Sequence, residues 1–68
     1  MFDFNRFETL RAERGVSKAF IAQKLDRAAS LCNDWKLGKS TPSEQQIKVV
    51  AKILGTSPEY LKGETDKK

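Results

Sequence analysis

Ile21-Ala22-Gln23-Lys24-Leu25-Asp26-Arg27-Ala28-Ala29-Ser30-Leu31-Cys32-Asn33-Asp34-Trp35 decides the fold. Apolar residues stand at 21, 22 and 25, lapse over 26–28, and return at 32 and 35. The spacing predicts one short amphipathic helix, a tight turn and a second short helix, both burying a stripe against the same core. Asp26 takes the turn, because Asp tolerates positive φ better than most non-glycine residues. Ala22 is small where the two helices would cross. Two short helices held at a fixed angle can push the second into a groove about 12 Å wide, the width of the DNA major groove. The pattern therefore predicts a helix-turn-helix suited to DNA.

The flanking sequence supplies the rest of a helical body. Phe4, Phe7 and Leu10 share a face, with Arg6, Glu8, Arg11 and Glu13 turned outward. This predicts a first helix from about residue 3 or 5 to 14, capped by Asp3 or Asn5 and stopped by Gly15. Ser17 caps a second helix from Lys18 to about Leu25. The third runs from about Ala29 to Lys36 and ends at Gly38, and Lys39-Ser40 is an exposed loop. Thr41-Pro42-Ser43-Glu44 offers a cap, a Pro at the first helical position and a Glu three after Thr; Ser43 with Gln46 offers a rival cap. The fourth helix buries Ile47, Val50, Ala51 and Leu54 and stops at Gly55. Ser57-Pro58 opens a short fifth helix through about Lys62, ending at Gly63. Residues 64–68 read as a frayed charged tail. No segment reads as a strand. The expectation is one all-α domain over 1–68, with its core at about 5–63.

Bulk properties narrow the function. The chain has 68 residues, 13 Lys and Arg against 9 Asp and Glu, and a net charge of +4. Its pI near 9.5 suits a polyanionic partner. There is no His and one Cys, so thiol–imidazole pairs and zinc ligand sets are excluded. The four glycines stand apart at 15, 38, 55 and 63, so no phosphate-cradling loop forms. No catalytic residue, metal or cofactor is expected, and the chain does not read as an enzyme. No apolar run reaches the length of a membrane span. Met1-Phe2-Asp3-Phe4-Asn5-Arg6 lacks the basic start and apolar run of a signal peptide. A lone Cys fits a reducing compartment, so a cytoplasmic location is expected.

The ordered residues also resemble a known family, the phage repressor/Cro-like (XRE-type) helix-turn-helix proteins. The resemblance is carried by Leu10-Arg11 before Gly15; Ser17; Ile21-Ala22 and Leu25; Trp35; Gly38-Lys39; Pro42-Ser43; Ile47; Val50-Ala51; Leu54-Gly55-Thr56-Ser57; and Tyr60-Leu61-Lys62-Gly63-Glu64. It covers about residues 6–64. It implies a compact five-helix, lambda-repressor-like DNA-binding domain, with the third helix as recognition helix and binding as a dimer on paired half-sites. Four positions depart from the pattern. Asp26 stands where Gly is usual, Arg27 where a buried aliphatic is usual, Ala28 where Ser or Thr caps the third helix, and Phe20 where a polar residue is usual. Phe20 could join Phe2 and Phe4 in an apolar patch; alternatively Phe2 and Phe4 cover the bundle.

Matched to the family, Ala29, Ser30, Asn33 and Asp34 are the expected base-contacting residues. Ser can donate or accept, Asn can pair bidentately with adenine, and Asp can accept from cytosine N4, while Ala offers methyl contact. A solvated helix face is the plain alternative for each. Lys18, Arg27, Lys36, Lys39 and Ser40 are expected to grip phosphates, which fixes register but carries no sequence information. As isolated residues they would be ordinary surface groups. Cys32 and Trp35 face the core, Cys32 as a small buried hydrophobe rather than a redox switch. The expected function is a sequence-specific transcriptional regulator, a repressor of bacterial, phage or mobile-element type. Its partners are double-stranded DNA, through the major groove, and a second copy of itself. Helix five around Tyr60 and Leu61, or the Phe-rich N-terminus, would supply the dimer contact. The alternative is an antitoxin-like or adaptor interaction module on the same scaffold, with reduced DNA binding.

Overall fold

Five helices follow one another: α1 (Phe4–Arg14), α2 (Lys18–Lys24), α3 (Leu31–Leu37), α4 (Glu44–Leu54) and α5 (Pro58–Leu61). This computed structural model describes residues 2–68; Met1, the first residue of the expected domain span, lies outside the described residues. There is no strand among the described residues. α4 packs on α5, α1 on both, and α2 pairs with α3. The body measures 29 × 23 × 19 Å.

α1, α2, α4 and α5 each begin at a side-chain cap. Asp3, not Asn5, caps α1, its side chain accepting from the Arg6 N–H at 3.2 Å. Ser17 caps α2 through the Phe20 N–H at 3.0 Å. Of the two rival starts for α4, Ser43 wins. Its hydroxyl accepts from Gln46 N–H at 3.2 Å, and the Gln46 side chain accepts from Ser43 N–H at 2.9 Å. That reciprocal pair satisfies two otherwise orphaned donors. Pro42 is buried just ahead of the helix rather than at its first position.

The α2–α3 turn closes as the Asp26 reading requires. Asp26 has φ 58° and is the one non-glycine residue with positive φ among the described residues. Its N–H donates to Gln23 O at 3.0 Å, and Arg27 N–H donates to Ala22 O at 2.9 Å. This is the double bond pattern of a left-handed helix stop. A side chain in that conformation is strained relative to Gly, partly offset by its smaller loss of unfolded-chain entropy. Asp26→Gly is expected to stabilise the fold by about 0.5 kcal/mol, seen as a higher urea midpoint at constant slope. A lower midpoint would mean that the Asp side chain supports the turn.

The core draws on every helix. Phe7 and Leu10 come from α1, Ile21 and Ala22 from α2, Cys32 and Trp35 from α3. Ile47, Val50, Ala51 and Leu54 come from α4, and Tyr60 and Leu61 from α5. Phe2 packs against Phe7 and Trp35, with ring centroids 5.6 and 5.4 Å apart, and Phe4 packs on Phe7 at 5.6 Å. So Phe2 and Phe4 cover the bundle. Phe20 lies apart on α2, beneath the Lys24 ammonium.

Two expectations are corrected here. Tyr60 and Leu61 are core residues of the chain itself, and Phe2 and Phe4 are half-buried against that core. Tyr60 and Leu61 are thereby not free as an apolar dimer contact, while Phe2 and Phe4 keep part of their surface exposed. The side chains of Arg6 and Arg11, expected outward, instead lie along the body at 24% and 17% exposure. The Arg6 guanidinium donates to Tyr60 O at 3.2 Å, to Thr65 O, and to the Asp66 carboxylate at 2.7 Å. Asp3 N–H donates to Leu61 O at 2.8 Å. The 64–68 segment has no helix, but it is tied to α1 through these bonds and through Lys68–Glu13 at 3.2 Å.

Candidate nucleic-acid interface

α3 is raised by what lies beneath it. Cys32 is fully buried and Trp35 is 5% exposed. Phe7 and Phe2 meet the indole edge-on from below. With these two side chains inward, Asn33 and Lys36 are exposed and Asp34 is half-exposed. Burial pushes the Cys32 thiol pKa above its ordinary value, against the pull of Lys18 and Arg11. The thiolate is disfavoured, so the group behaves as a small hydrophobe.

The start of α3 falls later than expected. Ala29 and Ser30 lie in the turn, and the helix begins at Leu31. Neither Ala28 nor Ala29 has a side chain able to accept from a free N–H. Ser30 occupies the cap position with φ −76° and ψ −3°, and its side chain makes no capping bond. The turn is closed instead by Leu31 N–H donating to Ala28 O at 3.0 Å. Ala29 and Ser30 are both exposed, so they remain accessible from outside, on the approach to the helix rather than on it.

The expected phosphate-gripping residues divide between the two flanks of α3. On one flank, Arg27, Ser30, Asp34, Ser40, Thr41 and Gln46 line an open cleft of about 360 Å³ between the α2–α3 turn and the start of α4. On the other flank, Lys36 borders a cleft of about 560 Å³ with Phe2, Asp3 and Lys62. Lys18 also stands toward α1, its ammonium 3.8 Å from Glu8. Lys39 is exposed directly after Gly38, its N–H donating to Asp34 O at 2.9 Å. That bond, with Gly38 at φ 75°, turns the chain sharply out of α3.

Glu8 complicates the α1 flank. Its carboxylate accepts two hydrogen bonds from Arg11, at 2.9 and 3.0 Å. This bonding is the main cause holding its pKa below the usual range, and the positive charges of Arg11, Lys18 and Lys36 add to it against desolvation. Glu8 therefore stays ionised at neutral pH and competes with any external anion for Lys18. Glu8→Gln is expected to tighten duplex binding about threefold at low salt, the scale of one partly exposed ion pair. Fluorescence anisotropy would read it; unchanged affinity would show that Glu8 does not compete.

Leu37 is not among the expected site residues. It is exposed on the outer side of the last turn of α3.

A family model described as Helix-turn-helix, HTH_3, matches residues 7–61. No curated protein and no solved structure matches the chain. No helix among the described residues is long and apolar enough to cross a membrane.

Proposed function

The chain belongs to the Cro/C1-type helix-turn-helix family, and on that ground we propose that it is a sequence-specific transcriptional repressor acting in the cytoplasm without catalysis or cofactor. The observation that carries this reading is the position of α3: buried Cys32 and Trp35 hold it up, polar side chains face outward, and cations stand on both flanks. α3 enters the major groove. Ala29, Ser30, Asn33 and Asp34 meet base edges, and Lys18, Arg27, Lys36, Lys39 and Ser40 hold phosphates. The whole chain acts as one domain. It binds as a homodimer, which places two recognition helices about 34 Å apart on an inverted repeat and blocks a promoter by occupancy. Core burial of Tyr60 and Leu61 moves the dimer contact elsewhere on the surface, or onto the DNA itself.

Selection of duplexes from a random pool tests this. Ser30→Ala and Asn33→Ala are each expected to change the selected sequence while leaving the melting temperature nearly unaltered, because both side chains are exposed. Identical selected sequences from wild type and both variants would remove these residues from the reading face. A folded protein that retains no duplex at low salt would remove the DNA function altogether.

A further inference from the structure

α2 carries no acidic residue, and α4 carries one, Glu44, at its first position and paired with Lys62 at 3.1 Å. The outward sides of these helices hold Lys24, Lys48 and Lys52, all exposed and in no ion pair among the described residues. Apolar surface lies beside these cations. Phe20 is 42% exposed, and Val16 and Val49 are half-buried. Val49 has Lys48 next to it and Lys52 one turn on.

Two shallow clefts meet at Lys24. Val16 and Phe20 border one of about 330 Å³. The other, of about 320 Å³, lies between the end of α2 and the start of α4, where Lys24 and Arg27 join Gln45, Gln46 and Val49. Lys24 borders this second cleft, and its ammonium lies 5.3 Å from the centre of the Phe20 ring in the first. Asp26 stands in the turn beside the second cleft but does not line it, and no carboxylate lines either. Arg27 and Gln46 are shared with the cleft beside α3, but no residue of α3 lines these two.

Unpaired cations around apolar surface narrow what can cover it. A nucleic-acid backbone would neutralise the ammoniums but brings nothing apolar to Phe20 or Val49. A second copy joined symmetrically here would set like charge against like. An acidic protein segment with apolar side chains meets both needs, because its charge complements the lysines and its side chains remove the apolar surface from water. We propose that this face docks an acidic segment of a partner protein, with one apolar side chain in each cleft and a carboxylate on Lys24 between them. Lys48 and Lys52 draw further carboxylates along α4. The surface is small, so the contact is of the weak, transient class.

Peptides selected from a random displayed pool against the full chain test this. They are expected to place Leu or Phe on both sides of Asp or Glu. Titrating a selected peptide into the isotopically labelled chain should shift the amide resonances of Phe20, Lys24 and Val49 and leave those of Asn33 and Lys36 in place. Lys24→Glu is expected to weaken that peptide about tenfold, since it removes one attraction and adds one repulsion. Phe20→Ala is expected to weaken it by a similar factor, roughly the scale of a large apolar side chain losing its cover. Both residues are exposed, and melting curves check that both variants fold. Selected peptides without acidic residues, or shifts confined to α3, would overturn the proposal. So would a pool that yields no peptide, or undiminished binding by both variants. A short duplex that moves the same resonances would overturn it in favour of nucleic acid. The same shifts on concentrating the chain alone would overturn it in favour of a second copy.

Discussion

Trp35→Ala is expected to cost about 3–5 kcal/mol and to leave little folded protein at room temperature. The indole lies under α3 with two phenyl rings against it, Phe2 at 5.4 Å and Phe7 at 5.6 Å. Truncation would open a cavity where α1, α3 and the N-terminal segment meet, and collapse there would drag all three. A chain of this length holds only about 3–10 kcal/mol of stability in total. Trp35→Phe should be much milder, because it keeps most of the volume. It also removes the buried Nε1 donor, which has no hydrogen-bond partner among the described residues. Thermal unfolding by circular dichroism would separate the two. A Trp35→Ala protein that melts with the wild type would mean that α3 is held up by something else.

Duplex affinity is expected to fall roughly a hundredfold per subunit between about 50 and 200 mM salt. Lys18, Arg27, Lys36 and Lys39 would together neutralise about four phosphates, giving a log–log slope near −3.6 from counterion release. A dimer doubles the slope. Lys39→Ala should make it shallower by about 1 per subunit, because Lys39 is exposed and free of ion pairs among the described residues. Lys18→Ala should change it less, since Glu8 already holds that ammonium. Anisotropy titrations at several salt concentrations read both effects. A flat dependence would exclude a phosphate-gripping role for these residues.

Much of the fold is written locally. Gly15, Gly38, Gly55 and Gly63 all adopt the positive φ of a helix stop, and Asp26 does so without being Gly. Ser17, Ser43 and Ser57 each cap the helix that follows. Such signals depend on neighbours within four residues, so they can be read from the string. The start of α3 was not legible, because Ala28 and Ala29 carry no capping group and the turn closes through backbone alone. The fate of Tyr60 and Leu61 depends on α1 and α4, distant in sequence, and their apolar character fits a core or an interface equally. The inward lie of Arg6 depends on carbonyls more than fifty residues away. Charge suggested solvent; the planar guanidinium found acceptors instead. Within the candidate site, the inward side of α3 followed from periodicity, because Cys32 and Trp35 are one helical turn apart.

The Arg6 clasp has a consequence for how the molecule can be rebuilt. Residues 3 and 61 share a backbone hydrogen bond, and residues 6 and 66 share an ion pair. The segments around residues 3 and 66 thus lie side by side. A brief peptide joining them would require almost no distortion, and new ends could be opened at the exposed Lys39–Thr41 bend. Such a circular permutant should keep the same helices in a rearranged order.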